Sequence, residues 1–150
     1  MSRGTAARAR AWEAYFTTTS RLADRLERRL KAGCSLSLPE YNVLLQVQRA
    51  GSGGIRPSAL AHEVVFSPSR LTHTLDRLGR RGLLERRACD TDGRGGQVHL
   101  TPAGRSAFDE AARVHRALVR DLVLDDLEPG EDEVLERVFT RIARRLDEDS

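Results

Sequence analysis

The segment from Pro57 to Thr101 leaves this chain few ways to fold. Two short helical patterns, "PSALAHEVVF" and "SPSRLTHTLDRLGRRG", are divided only by the tight turn at Phe66, Ser67 and Pro68. Ser67 is a good N-cap, because its hydroxyl oxygen can accept a first-turn backbone N–H. Pro68 suits the first helical position, where its missing N–H costs nothing. Leu71, Leu75 and Leu78 recur at three- and four-residue steps and make one narrow apolar stripe, which Gly82 ends. "LLERRACDTDGRGGQVHLT" follows at once. Two short strands, at about 83–88 and 97–101, flank a centre of three glycines and two aspartates, the mark of a hairpin with a long loop. Val98 and Leu100 are expected to face in, and Gln97, His99 and Thr101 out. Two helices at a tight turn with a hairpin behind them read as a helix-turn-helix carrying a wing.

The far side of the second helix carries the chemistry. Ser69, His73 and Arg80 lie opposite the leucine stripe, Arg70 and Arg77 lie beside them, and Asp76 is the one acid. An ordinary solvated helix would mix signs at i,i+4 spacing to gain pairing energy. A helix that enters the DNA major groove instead presents Arg, Ser, Thr and His to base edges and phosphates. The charge distribution agrees. Residues 1–55 carry a net +5, residues 56–105 a net +4 and residues 106–150 a net −6, within a total of +3. Of 25 basic residues 24 are Arg. A coding bias accounts for the choice of Arg but not for the segregation of sign, and a basic segment favours an anionic partner, nucleic acid first.

The flanks are helical too. Residues 7–32 place Trp12, Tyr15, Phe16, Thr19, Leu22, Leu26 and Leu30 on one stripe, with Gly33 as the expected left-handed closure. In "LSLPEYNVLLQVQRA" Pro39 suits a first turn, Ser37 stands off the best capping position because Leu38 intervenes, and Val43, Leu44 and Val47 face in. "GSGG" at 51–54 reads as a flexible break, followed by an extended Ile55 and Arg56. After Thr101 and Pro102 a fifth helix carries Phe108, Ala111, Ala112, His115, Leu118, Val119 and Leu122, and "EPG" at 128–130 breaks it. A sixth, about 131–146, carries Val134, Leu135, Val138, Phe139, Ile142 and Leu146. A small winged-helix core cannot cover the stripes of the first and last two helices alone, and exposed apolar bands of that length mark an interface. The expected fold is mainly α with a small β-hairpin wing. It comprises an N-terminal dimerisation helix at 1–35, a winged helix-turn-helix DNA-binding domain at 36–104, and C-terminal dimerisation helices at 105–150. Two-fold pairing would set two recognition helices about one DNA turn apart, roughly 34 Å.

From Leu36 to Arg105 the chain resembles the MarR family of winged-helix transcriptional regulators. "LSLPEYNVLL", "SALAHEVVFSPSRLTHTLDRLGRRGLLERR", the Asp92-x-Arg94 of the wing and "LTPAGR" carry the resemblance, and the flanking helices match the family's arrangement. It implies a homodimer that binds duplex DNA at a palindromic operator and is released by a small molecule or by oxidation. By the same resemblance Arg94 is the wing-tip arginine, and Ser67, Ser69, Arg70, Thr72 and His73 occupy recognition-helix positions. Such an Arg94 would enter a narrow minor groove, whose negative potential attracts guanidinium, braced by Asp92. Arg86 and Arg87 on the outgoing strand would meet phosphates, and Arg77 adds a further donor on the recognition helix. The wing departs from the family at Gly93, where a second basic residue often stands.

Other chemistries find less support. No Gly-x-Ser-x-Gly, phosphate-cradling glycine loop or carboxylate pair sits at a plausible strand end, so no enzyme and no cofactor are expected. His62, His73, His99 and His115 are too scattered for a metal site. Trp12, Tyr15, Phe16 and Tyr41 are candidate effector-binding residues for a small aromatic or anionic ligand, with a dimer-interface core as their plainer reading. Asn42 stands where some relatives that sense acidic metabolites carry an acid. Cys34 and Cys89 leave open a cysteine-based redox sensor of the same fold. A winged-helix protein- or RNA-binding module would instead show an apolar or acidic outer face over 69–81. No apolar run approaches the ~20 residues that span a bilayer, and no signal-type stretch follows the basic start, so a cytoplasmic protein without membrane contact is expected.

Overall fold

The computed structural model describes residues 3–88 and 96–148. In chain order the elements are α1 (Arg3–Cys34), α2 (Leu38–Ala50), a 3-10 turn (Gly51–Gly53), α3 (Pro57–Glu63), α4 (Pro68–Arg80), β1 (Leu84–Arg87), β2 (Gln97–Leu100), α5 (Pro102–Leu122), a second 3-10 turn (Leu124–Asp126) and α6 (Glu131–Glu148). The chain forms two compact units, Met1–His115 and Arg116–Ser150, and α5 runs from the first into the second.

The core of the first unit is a winged helix. Leu30, Leu36, Val43, Leu44, Leu60 and Leu78 are fully buried, and Leu71, Thr74 and Leu75 complete the inward stripe of α4. Each buried leucine contributes about 1.5–3 kcal/mol relative to an exposed one. The hairpin is antiparallel, with Leu84 opposite Leu100, Glu85 opposite His99, Arg86 opposite Val98 and Arg87 opposite Gln97. Ile55 adds a one-residue bridge on the free side of β2, exchanging hydrogen bonds with Val98 at 3.1 and 2.9 Å. In the second unit α6 buries none of its side chains.

Several local expectations need correction. Gly33 stays helical, and the left-handed residue is Ser35, at φ 54°. Ser37 is the N-cap after all. Helix α2 begins at Leu38, so nothing intervenes. The Ser37 hydroxyl accepts Glu40 N–H at 3.2 Å while Ser37 N–H donates to Glu40 Oε2 at 2.7 Å, a complete capping box. "GSGG" is no loose break, since three of its residues form a 3-10 turn and Gly54 is wedged against the hairpin. His99 was expected to face out and is buried, because the ring packs flush on Gly54 and β2 is covered on both faces.

The turn between α3 and α4 stores strain. Val65 adopts φ 55° and stands almost fully in solvent. A β-branched residue there costs about 1–2 kcal/mol and gains no burial in return. Val65→Asn is therefore expected to raise stability by about 1 kcal/mol, read as an upward shift of the denaturant midpoint. A midpoint that falls would show that Val65 makes a contact its exposure hides.

Candidate nucleic-acid interface

Helix α4 is set by its two ends. Ser67 caps it, its hydroxyl accepting Arg70 N–H at 3.3 Å and lying 3.3 Å from the Ser69 hydroxyl. No acid occupies the first turn, so the positive end of the helix dipole is left open to an anion. Gly82, at φ 71°, turns the chain into the hairpin. With Leu71, Leu75 and Leu78 facing inward, Ser67, Ser69, Arg70, Thr72, His73 and Arg77 all stand exposed. Arg70 lies over the Phe66 ring, 4.0 Å from its centroid, a cation–π contact that aims the guanidinium. Thr72 Oγ1 donates to the Pro68 carbonyl at 2.9 Å and keeps its lone pairs outward.

Arg77 differs from its neighbours. Its Nε donates to Glu40 Oε1 at 2.8 Å, and Arg81 reaches the same oxygen at 3.5 Å. Glu40 is buried, so its charge needs these partners. The pair pins the C-terminal turns of α4 to the start of α2, and only the outer nitrogens of Arg77 are left for another task. Glu27 of α1 ties in from the other side, accepting Leu38 N–H and pairing with Lys31 at 2.8 Å. Burial pushes its carboxyl up, but the Leu38 N–H and Lys31 outweigh that and hold it below the ordinary carboxylate range. Helix pattern alone missed this relay; its one visible signal was the S-x-x-E spacing of Ser37 and Glu40.

On the hairpin Arg86 and Arg87 are both exposed. Arg86 borders a cavity of about 350 Å³ between α4 and the hairpin, together with Arg80 and Asp76. Arg87 donates twice to Glu85 Oε1. Arg94, Asp92, Gly93 and Cys89 lie outside the described residues.

The match to a family model described as the MarR family covers residues 35–95. AbsC of Streptomyces coelicolor, a MarR family transcriptional regulator, is 30% identical, with 91% of this chain and 92% of that chain covered and a TM-score of 0.84. This chain belongs to the MarR family. Sco3205, a MarR family transcriptional regulator of the same organism solved in complex with DNA, is 28% identical over 94% of this chain and 88% of that chain, at a TM-score of 0.88. The transcriptional regulator BldR of Sulfolobus solfataricus is 25% identical over 96% and 99%, at a TM-score of 0.80. None of the curated proteins matches the chain. The MarR family is one of transcriptional regulators, not of enzymes.

The candidate effector residues of this MarR chain do not form one group. Trp12, Tyr15 and Phe16 are exposed; Trp12 stacks on Phe16 at a centroid distance of 5.7 Å and meets Tyr15 at a tilt, 5.8 Å away. Tyr41 is buried, stacked on Phe108 at 5.9 Å and His115 at 4.6 Å. Its ring closes the core. Cys34 is half-buried; burial pushes its thiol up, Glu110 adds to the rise, and Arg113 opposes it. Among the described residues no group of His, Cys, Asp and Glu is placed to hold a metal ion. No described helix is long and apolar enough to cross a membrane.

Proposed function

We propose that the protein is a homodimeric, sequence-specific DNA-binding regulator, a cytoplasmic repressor that a small-molecule effector releases from a palindromic operator. One observation carries this reading: the exposed Ser69, Arg70, Thr72 and His73 face of α4, back to back with the buried leucine stripe. That Sco3205 was solved in complex with DNA supports it. Residues 36–104 would hold the duplex, with α4 in the major groove, Arg94 in the adjacent minor groove, and Arg86 and Arg87 on phosphates. Residues 1–35 and 105–150 would join two copies. Their support is the exposure of Trp12, Phe16, Leu135 and Ile142 on long helices, where a monomer would leave apolar surface in water. The effector would be a small aromatic or anionic molecule engaging Trp12, Tyr15 and Phe16, while Tyr41 stays committed to the core against Phe108 and His115. The redox reading is weakened at Cys34, because its raised thiol disfavours the thiolate that oxidants attack. A protein- or RNA-binding role would call for an apolar or acidic outer face on α4, and the one present is polar and basic.

The test is a selection of bound genomic duplexes, followed by titrations of the recovered site over a range of salt. His73→Ala and Arg70→Ala should each cost about 1–3 kcal/mol and relax preference at particular base pairs. Arg94→Ala should weaken all duplexes alike, and each lost phosphate contact should lower the salt slope by about 1. A wild-type protein that ignores duplex DNA in dilute salt would overturn the proposal. A uniform loss in His73→Ala would reassign that residue to phosphate contact.

A further inference from the structure

His99 is the least expected buried group in the molecule. It lies on β2, 8% exposed, and its imidazole makes no hydrogen bond with any described residue. Its cross-strand neighbour Glu85 is occupied by Arg87. Gly54 lets the ring in: a Cβ on that glycine would stand 2.5 Å from the imidazole Cε1 and Nε2. Among the described residues no side-chain nitrogen or oxygen is both fully buried and without a partner. The His99 nitrogens must therefore be wetted, and the opening next to them is a cavity of about 180 Å³.

That cavity lies where the 3-10 turn after α2, the base of the hairpin and the first turn of α5 meet. Its polar lining is Gln48, Ser52, Arg87, His99 and Arg105, with no acid among the described residues. Arg87 is partly neutralised by Glu85. Arg105 is not, and its one described side-chain bond is a long 3.3 Å contact to Gln48 Oε1. Two guanidiniums, a hydroxyl and an imidazole thus converge with a single neutral carbonyl among them. Such a donor excess suits an oxyanion, and guanidinium matches the phosphate fork. The volume is below the ~300–1,000 Å³ of drug-sized sites, yet it exceeds several waters at ~30 Å³ each.

We propose that this cavity is a phosphate site, in which Arg105, Ser52 and His99 hold the oxygens and Arg87 guards the rim. The phosphate group would come either from a free phosphorylated metabolite or from the backbone of a bound duplex. In either case the occupant would brace the base of the wing. Only the duplex source rests on the DNA-binding reading.

The first arm titrates the full-length protein with inorganic phosphate, against chloride at equal ionic strength, and reads the imidazole nitrogen NMR signals of His62, His73, His99 and His115. A free-phosphate site predicts a saturable shift at His99 alone, weakened at least ~10-fold in Arg105→Gln and in Ser52→Ala. Both replaced residues are exposed, and an unchanged melting temperature checks the fold. The second arm measures the salt slope of duplex binding. If inorganic phosphate leaves His99 unmoved but Arg105→Gln lowers the slope by about 1, the phosphate is the duplex's own. Shifts of equal size in wild type and both variants would overturn the site. So would an unmoved His99 together with an unchanged slope.

Discussion

Gly104→Ala is expected to cost about 3 kcal/mol and to lower the melting temperature by roughly 10 °C. Intrinsic propensity argues the other way, since alanine outranks glycine by about 1 kcal/mol inside a helix. Sterics decide the sign. A Cβ at Gly104 would lie 1.9 Å from the Leu83 carbonyl oxygen and 2.8 Å from its carbon, both backbone atoms that cannot rotate away. Nor can either partner retreat. Leu83 N–H is bonded to the Leu78 carbonyl at 3.0 Å, and its own carbonyl accepts Thr101 N–H at 3.1 Å. Thr101 Oγ1 donates to the Gly82 carbonyl at 2.6 Å and accepts Gly104 N–H at 2.9 Å, which caps α5. The close approach therefore seats α5 on the turn that ends α4. Gly33→Ala is the control. It too is helical, and its nearest neighbour is the Val114 Cγ2 at 4.0 Å. That change should stabilise by about 1 kcal/mol. Equal melting temperatures for the two variants would show that the α5 seat yields, and the steric reading would fail.

The recognition helix was legible because everything that defines it is local. Ser67, Pro68, three leucines at helical steps and Gly82 each state their role within one or two turns, and α4 spans Pro68–Arg80 as they require. The two strands of the hairpin were legible for the same reason, and β1 (Leu84–Arg87) and β2 (Gln97–Leu100) fall within the expected spans. What escaped depends on neighbours far along the chain. Period-two alternation assumes a wet outer face, and it failed at His99 because residues some 45 positions earlier cover that face. Arg77 reads as a free donor on a wheel and is bound to Glu40, 37 residues away. Ser35 takes the left-handed position that the neighbouring Gly33 would fill at lower cost, and the structure offers no physical account of that choice. Of the proposed site, the exposure of Ser67, Ser69, Arg70, Thr72 and His73 follows from the leucine stripe alone. The grouping of Trp12, Tyr15 and Phe16 apart from Tyr41 does not, since aromatic residues look alike in sequence whether they close a core or await a partner.

On the proposed homodimer, Ile142→Asp is expected to yield a monomer and to weaken binding to a two-half-site duplex at least ~100-fold. Helix α6 opens with Glu131, Asp132 and Glu133, which suit the positive end of its dipole, and places Arg145 near its end. It is thus a well-formed helix in its own right, and it buries nothing. Val134, Leu135 and Ile142 share one side of it at helical spacing, and Ile142 is 43% exposed. Covered by a second copy, each such side chain would contribute about 1.5–3 kcal/mol. An aspartate in that seam would forfeit the burial and add a charge with no partner, several kcal/mol in all. In water the same aspartate costs little, so the monomer should keep its helical content. Light scattering reads the mass, and titration with a duplex bearing two half-sites reads the coupling, since joining two modules multiplies their affinity through effective concentration. A loss confined to the two-site duplex, with single half-site binding intact, is the signature of a broken dimer. Undiminished dimer mass in Ile142→Asp would mean that α6 faces solvent in the working protein, and the pairing surface would have to be sought on α1 around Trp12 and Phe16.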